Sequence, residues 1–170
     1  MRISFAVPQI GFKSLALALL ACQQPPASPE APDGPLEGAW QVTTYELADS
    51  SVVDPAQPGL FIFTEGYYSA VYTNRAEPRV PAETHFSPTE EETLDQYRSL
   101  IVNTGTYTVG GSVVTFRPLV AKSPAFIGGE ATAEFSIAGD ILTLEYSTIL
   151  STDGTSAPNV RGVITLRRVE

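Results

Sequence analysis

From Leu36 onward, apolar and polar residues alternate with a period of two, the spacing of a strand with one buried face. The first strand is predicted over residues 39–47, with Trp40, Val42 and Thr44 on one face. Residues 49–58 read as a polar loop with two prolines. Strands over 60–64 and 67–73 meet at Glu65-Gly66, a tight hairpin signal. Gly110-Gly111 joins strands over 107–109 and 112–120 in the same way. The alternation is clearest over 130–137, with Ala131, Ala133, Phe135 and Ile137 on one face and Glu130, Thr132, Glu134 and Ser136 on the other. Gly139-Asp140 turns the chain into a strand over 141–148, where Leu142, Leu144 and Tyr146 share a face. A last strand, 161–169, puts Ile164 and Leu166 together, for eight strands in all.

One segment breaks the period. Ser87-Pro88-Thr89-Glu90 has the form of a capping box with proline at the first helical position. Glu90, Glu91 and Glu92 follow where a helix dipole favours acid. Leu94, Tyr97, Leu100 and Ile101 fall at helical spacing, with Arg98 to one side. The pattern predicts one α-helix over about 88–102, between strands three and four. Its apolar stripe is expected to cover one end of the sheet structure as a plug or lid.

Eight short antiparallel strands with hairpin links predict an all-β, up-and-down barrel, which removes exposed edges by closing on itself. An eight-stranded barrel has an interior that side chains fill or that holds one small ligand.

Ahead of the barrel lies a different kind of sequence. Arg2 and Lys13 precede an apolar run, Leu15 to Ala21, too short to span a bilayer, which needs about 20 apolar residues. Leu19-Leu20-Ala21-Cys22, with the only cysteine of the chain, resembles a bacterial lipobox. The resemblance implies cleavage before Cys22, removal of residues 1–21, and lipidation of the Cys22 sulfur and amine. Two or more acyl chains hold a protein stably on a membrane. Gln23 follows the cysteine, where an Asp would resemble an inner-membrane retention signal, so the pattern implies the outer membrane; a periplasm-facing domain is the expectation, with nothing in the pattern choosing the side. Residues 22–36 form the lipidated cysteine and a tether; five of the fourteen residues after Cys22 are proline. Extended polyproline-like chain of that length reaches about 40 Å. The barrel domain is expected over 37–170.

Charge narrows the partners. Losing residues 1–21 removes Arg2 and Lys13 and no acid, which takes the net charge from -9 to -11. Nucleic acid and anionic lipid surfaces both require basic protein surface, so neither is an expected partner beyond the lipid anchor. No cysteine is left for a disulfide, and stability rests on the core and the hydrogen-bond ladder.

Gly38-Ala39-Trp40 resembles the Gly-x-Trp signature of the lipocalin and fatty-acid-binding superfamily. In that group an arginine near the end of the last strand packs across the tryptophan, and Arg167 or Arg168 occupies the matching place. Gly38, Trp40 and these arginines thus form a structural signature. A closer resemblance is to the bacterial lipocalin-like domain family. It is carried by residues 36–40, 59–70 and 97–109 and covers most of 36–169. The stretch from Tyr97 through Gly105-Thr106-Tyr107 is its most specific part. Relatives often carry a histidine on the fifth strand; Val114-Thr115-Phe116-Arg117 has none, and no role for it carries over.

Candidate chemistry is sparse. The only histidine, His85, sits in a loop beside Phe86 without the positioned partner a catalytic imidazole needs. With Cys22 lipidated there is no clustered ligand set for a metal, and no motif calls for a cofactor. Glu130 and Glu134 share a face but are expected to face water, opposite an apolar one. The aromatic set points instead to a binding interior. Tyr68, Tyr72, Phe116 and Tyr146 are candidate ligand contacts, with Phe61, Phe63 and Phe135 as companions. Tyrosine offers an apolar ring with a polar tip that needs a partner when buried. Arg98 and Arg117 are candidates to meet an anionic head group. The expected role is non-catalytic binding of a small, partly apolar molecule. The alternatives are a structural or assembly lipoprotein with a filled barrel and a protein partner, and an isomerase or cyclase built on the same scaffold.

Overall fold

The computed structural model describes residues 34–46, 49–158 and 162–169. The expected leader, Cys22, most of the tether and the last residue lie outside the described residues, as do Leu47 and Arg161 at two strand ends. The elements are β1 (Gly38–Glu46), β2 (Val52–Val53), β3 (Leu60–Thr64), β4 (Tyr67–Thr73), α1 (Glu90–Arg98), β5 (Leu100–Gly110), β6 (Val113–Ala121), β7 (Glu130–Ala138), β8 (Ile141–Leu150) and β9 (Gly162–Arg168). A 3-10 turn at Pro124–Phe126 follows β6. Strands β1 and β3 to β9 pair antiparallel in chain order, and β9 pairs back onto β1, which closes an eight-stranded barrel as expected. The ninth strand, β2, is a two-residue addition inside the predicted polar loop, set against Tyr45 and Glu46.

Inward positions follow the alternation read from the sequence, and three register shifts modify it, the third between Thr132 and Ala133 where Ser147 is the extra residue of β8. Val42 pairs with Leu166 but Thr44 pairs with Thr165, so Thr43 is an extra residue in β1. A one-residue slip reverses which face each later side chain takes. Tyr45, opposite Ile164, therefore turns inward, and Thr44 does not join Trp40 and Val42. A second slip, between Thr104 and Gly105, brings Gly105 so close to β6 that an added Cβ would lie 2.7 Å from the Pro118 Cα. Only glycine tolerates that approach.

The helix departs most from the prediction. It runs over nine residues, Glu90–Arg98, and Leu100 and Ile101 begin β5 instead of extending its stripe. β-Branched residues dominate from Ile101 to Thr108 and favour the strand. The capping box lies two residues further along, with Thr89 as the cap in place of Ser87. The Thr89 hydroxyl accepts from the Glu92 N–H, and Glu92 Oε2 accepts from the Thr89 N–H at 2.7 Å. The other Glu92 oxygen accepts from the Glu83 N–H at 2.9 Å, a use that Glu90 in the predicted frame does not have. No residue of α1 is buried; Leu94 is 45% and Tyr97 51% exposed. The helix is therefore not a plug. It is held by polar contacts: a bidentate Arg75–Asp95 pair at 2.6 and 2.9 Å, and Tyr97 Oη donating to the Lys122 carbonyl at 3.2 Å.

One end of the barrel is closed. Trp40 and Leu36 are fully buried there, although Leu36 was expected to end the tether. The indole N–H donates to the Leu36 carbonyl at 2.7 Å. The Arg168 guanidinium stands 4.0 Å from the Trp40 ring and donates to the Glu37 carbonyl at 2.6 Å. Arg168, not Arg167, makes the stacking contact. Above this latch Phe61, Phe63, Val114, Leu142, Leu144, Ile164 and Leu166 fill the lower interior without exposed surface above a trace.

Candidate functional site

The opposite end is open. A cavity of about 770 Å³ lies there, between the ends of β1, β4, β6 and β8 and the start of β5. That volume falls in the range of sites that hold a drug-sized molecule. Ile101, Val102, Phe126 and Ile149 give it apolar walls, and Asn74, Asn103 and Lys122 add polar groups. Asn103 is placed by strict alternation on β5, since Ala70, which faces the core, pairs with it.

The rim is prefolded. Thr152 donates its N–H to the Ala125 carbonyl at 3.1 Å and its hydroxyl to the Ile127 carbonyl, which ties the loop after β8 to the turn after β6. Asp153 closes the same loop by accepting from Ser151 Oγ and from the Thr155 N–H at 3.0 Å. Those hydrogen bonds hold its carboxyl pKa down to about 2. Lys122 donates to the Tyr97 carbonyl at 3.2 Å and lies 5.0 Å from the centre of the Tyr97 ring. Burial pushes its ammonium pKa below the ordinary lysine value.

Beneath the cavity lies a tyrosine-rich layer, of which Tyr45 and Tyr72 reach the cavity wall. Tyr45 and Tyr72 line the cavity, with ring centres 5.8 Å apart, and Tyr72 stacks 5.5 Å from Phe61. Phe116 bridges Tyr68 at 4.9 Å and Tyr146 at 6.0 Å. Burial raises all four phenol pKa values, and at Tyr72 the neighbouring Tyr146, Tyr45 and Tyr68 add to the rise. Each phenol therefore keeps its proton at neutral pH. The Tyr68 hydroxyl is buried without a hydrogen-bond partner, an uncommon state for a native polar group.

Of the candidate contacts named from the sequence, Tyr72 reaches the cavity directly. Tyr68, Phe116 and Tyr146 belong to the aromatic layer that packs with the core. Arg98 and Arg117 are outside the interior. Arg98 is exposed at the end of α1, and Arg117 pairs on the outer face with Glu130 at 2.7 Å. His85 is exposed in its loop. No group of three metal-ligating side chains occurs among the described residues. Sequence reasoning missed Tyr45, Asn103, Lys122, Phe126 and Ile149. Asn103 carried a usable signal, a polar residue in step with Gly105 and Tyr107. The bulge that turns Tyr45 inward leaves no mark in a period-two pattern.

A family model described as a lipocalin-like domain matches residues 37–169. Among solved structures, a lipocalin-like protein from Bacteroides uniformis ATCC 8492 is 17% identical with a TM-score of 0.45, over 79% of this chain and 99% of that one. An uncharacterized protein from Bacteroides eggerthii DSM 20697 is 14% identical with a TM-score of 0.43, over 78% and 98%. No curated protein matches.

Proposed function

Because the chain belongs to the lipocalin-like domain family, we propose that its barrel carries a small, partly apolar molecule in the open mouth without acting on it chemically. The observation that supports this most is the cavity itself: about 770 Å³ with apolar walls over buried phenols, set above a solidly packed lower interior. The proposal extends to location. The lipobox-like Leu19 to Cys22 supports a lipid anchor in the outer membrane, and Gly34 to Leu36 join the barrel at its closed end. The tether then joins the barrel at the end opposite the mouth.

Binding is tested by titrating the uncharged fluorescent probe N-phenyl-1-naphthylamine into the protein and into Tyr72→Trp, whose larger ring occupies part of the cavity. Saturable one-site binding, weakened at least fivefold by the substitution, is the expected result. An absence of probe binding, together with a native mass spectrum free of any co-purified small molecule, would remove the carrier reading.

A further inference from the structure

Among the described residues, Lys122 is the one lysine or arginine that lines the cavity. It follows the last residue of β6, where its backbone N–H donates to the Val102 carbonyl of β5 at 2.8 Å. Asn103, a second polar group of the same wall, pairs with the neighbouring Ala121. The Lys122 ammonium is partly withdrawn from water, and burial works against its charge. Against that cost the protein gives it one hydrogen bond, to the Tyr97 carbonyl, and the face of the Tyr97 ring. An ammonium has three N–H donors, so two are left for another partner. Among the described residues no carboxylate pairs with it; the ion pairs there join Arg75 to Asp95 and Arg117 to Glu130. Asp153 also lines the cavity, but its carboxylate already accepts from Ser151 Oγ and the Thr155 N–H of its own loop. A cation partly desolvated and left without a counter-charge gains more from an incoming anion than one in open water does.

We infer that the ligand of this cavity carries one anionic group, held at the rim by Lys122 with the Asn103 amide beside it, and an apolar body that points inward. This rests on the carrier reading above and specifies the ligand class of the same site. The body then lies against Phe126 and Ile149 and ends on the Tyr72 ring, which stacks on the buried Phe61. With its head group at the mouth, such a ligand takes no charge down to the buried aromatic layer, where an unpaired charge is costly.

Three probes with one aromatic body separate the possibilities: 2-naphthoate, the neutral 2-acetylnaphthalene and the ammonium of 2-(aminomethyl)naphthalene, each measured by displacement of bound N-phenyl-1-naphthylamine. The carboxylate should bind about tenfold more tightly than the ketone, the worth of about one charge-assisted hydrogen bond. The ammonium should bind least tightly, and high salt should shrink the carboxylate's advantage. Lys122→Met should bring the carboxylate down to the ketone's affinity. So should Lys122→Gln, which removes the charge but keeps a donor for the Tyr97 carbonyl. Lys122→Arg should retain most of the advantage. Where a variant weakens the ketone as well, the ratio of carboxylate to ketone is the readout. A carboxylate that binds the parent no more tightly than the ketone overturns the inference and leaves the carrier reading standing. So does tightest binding of the ammonium, or a carboxylate preference that survives either uncharged variant. If no probe binds the parent, the carrier reading fails and the inference with it.

Discussion

At the scale of single residues, the barrel is held by a few side chains that do two things at once. Trp40 fills the closed end, donates to the Leu36 carbonyl and receives the Arg168 guanidinium on its face. Truncating a buried aromatic costs about 3 to 5 kcal/mol, and here a carbonyl and a cation also lose their partner. Trp40→Ala should therefore lower the urea midpoint severely or prevent folding, while Trp40→Phe keeps a ring and should lose less; equal midpoints for parent and alanine variant would contradict the latch. The buried phenols make a different prediction, for alkaline pH. In the unfolded chain tyrosine begins to ionise near pH 10, while Tyr45, Tyr68, Tyr72 and Tyr146 in the barrel still hold their protons. Above that pH the unfolded chain alone gains from ionising. The stability is fully present below about pH 10 and is lost as the pH rises toward the folded values. Urea unfolding at pH 8 and pH 11 should show the drop, and Tyr146→Phe should show a smaller one. The Gly-x-Trp and terminal arginines were legible in the sequence because they are local in the chain or at its end. The phenol cluster was only half legible: Tyr68, Tyr72 and Tyr146 share inward phases, but Tyr45 is reversed by the Thr43 bulge.

At the scale of elements, strands read well and the helix read badly, for one physical reason. A strand's burial shows in its alternation, because one face packs and the other is wet. Helix α1 has no buried face, so its apolar residues report nothing about what it covers. Leu100 and Ile101 matched helical spacing by coincidence with the strand they start. The Thr89 cap matters locally and little elsewhere. Thr89→Ala should cost about 1 kcal/mol of helix stability, seen as faster amide exchange over residues 90–98. The barrel's unfolding free energy in urea should hold within a few tenths of a kcal/mol, since no residue of α1 is buried; a large drop would mean that the helix is integral to the barrel after all.

The whole molecule has two unlike ends, and the sequence revealed one of them. The closed end was foreshadowed by Trp40 and Arg168; the cavity arises where loops and bulges bring Asn103, Lys122 and Ile149 together from distant parts of the chain, which no local pattern records. At this scale the proposed anchor is tested by Cys22→Ser, which should abolish fatty-acid incorporation and leave the precursor uncleaved; normal labelling of that variant would remove the outer-membrane assignment. The closed end also gives the protein a mechanical polarity. β1 starts and β9 stops there side by side, with the Val169 N–H donating to the Ala39 carbonyl at 2.8 Å. A load applied between residues 34 and 169 peels these two strands apart one rung at a time, beginning at the Trp40–Arg168 contact. A load between residue 34 and the rim at Asp153 instead drags β1 lengthwise between β3 and β9, so that many rungs resist together. In single-molecule pulling the second geometry should rupture at the higher force, and equal forces would show that the barrel does not yield at β1. A leash that tugs on the floor while cargo or partner holds the rim is thus the loading direction in which this barrel is strongest.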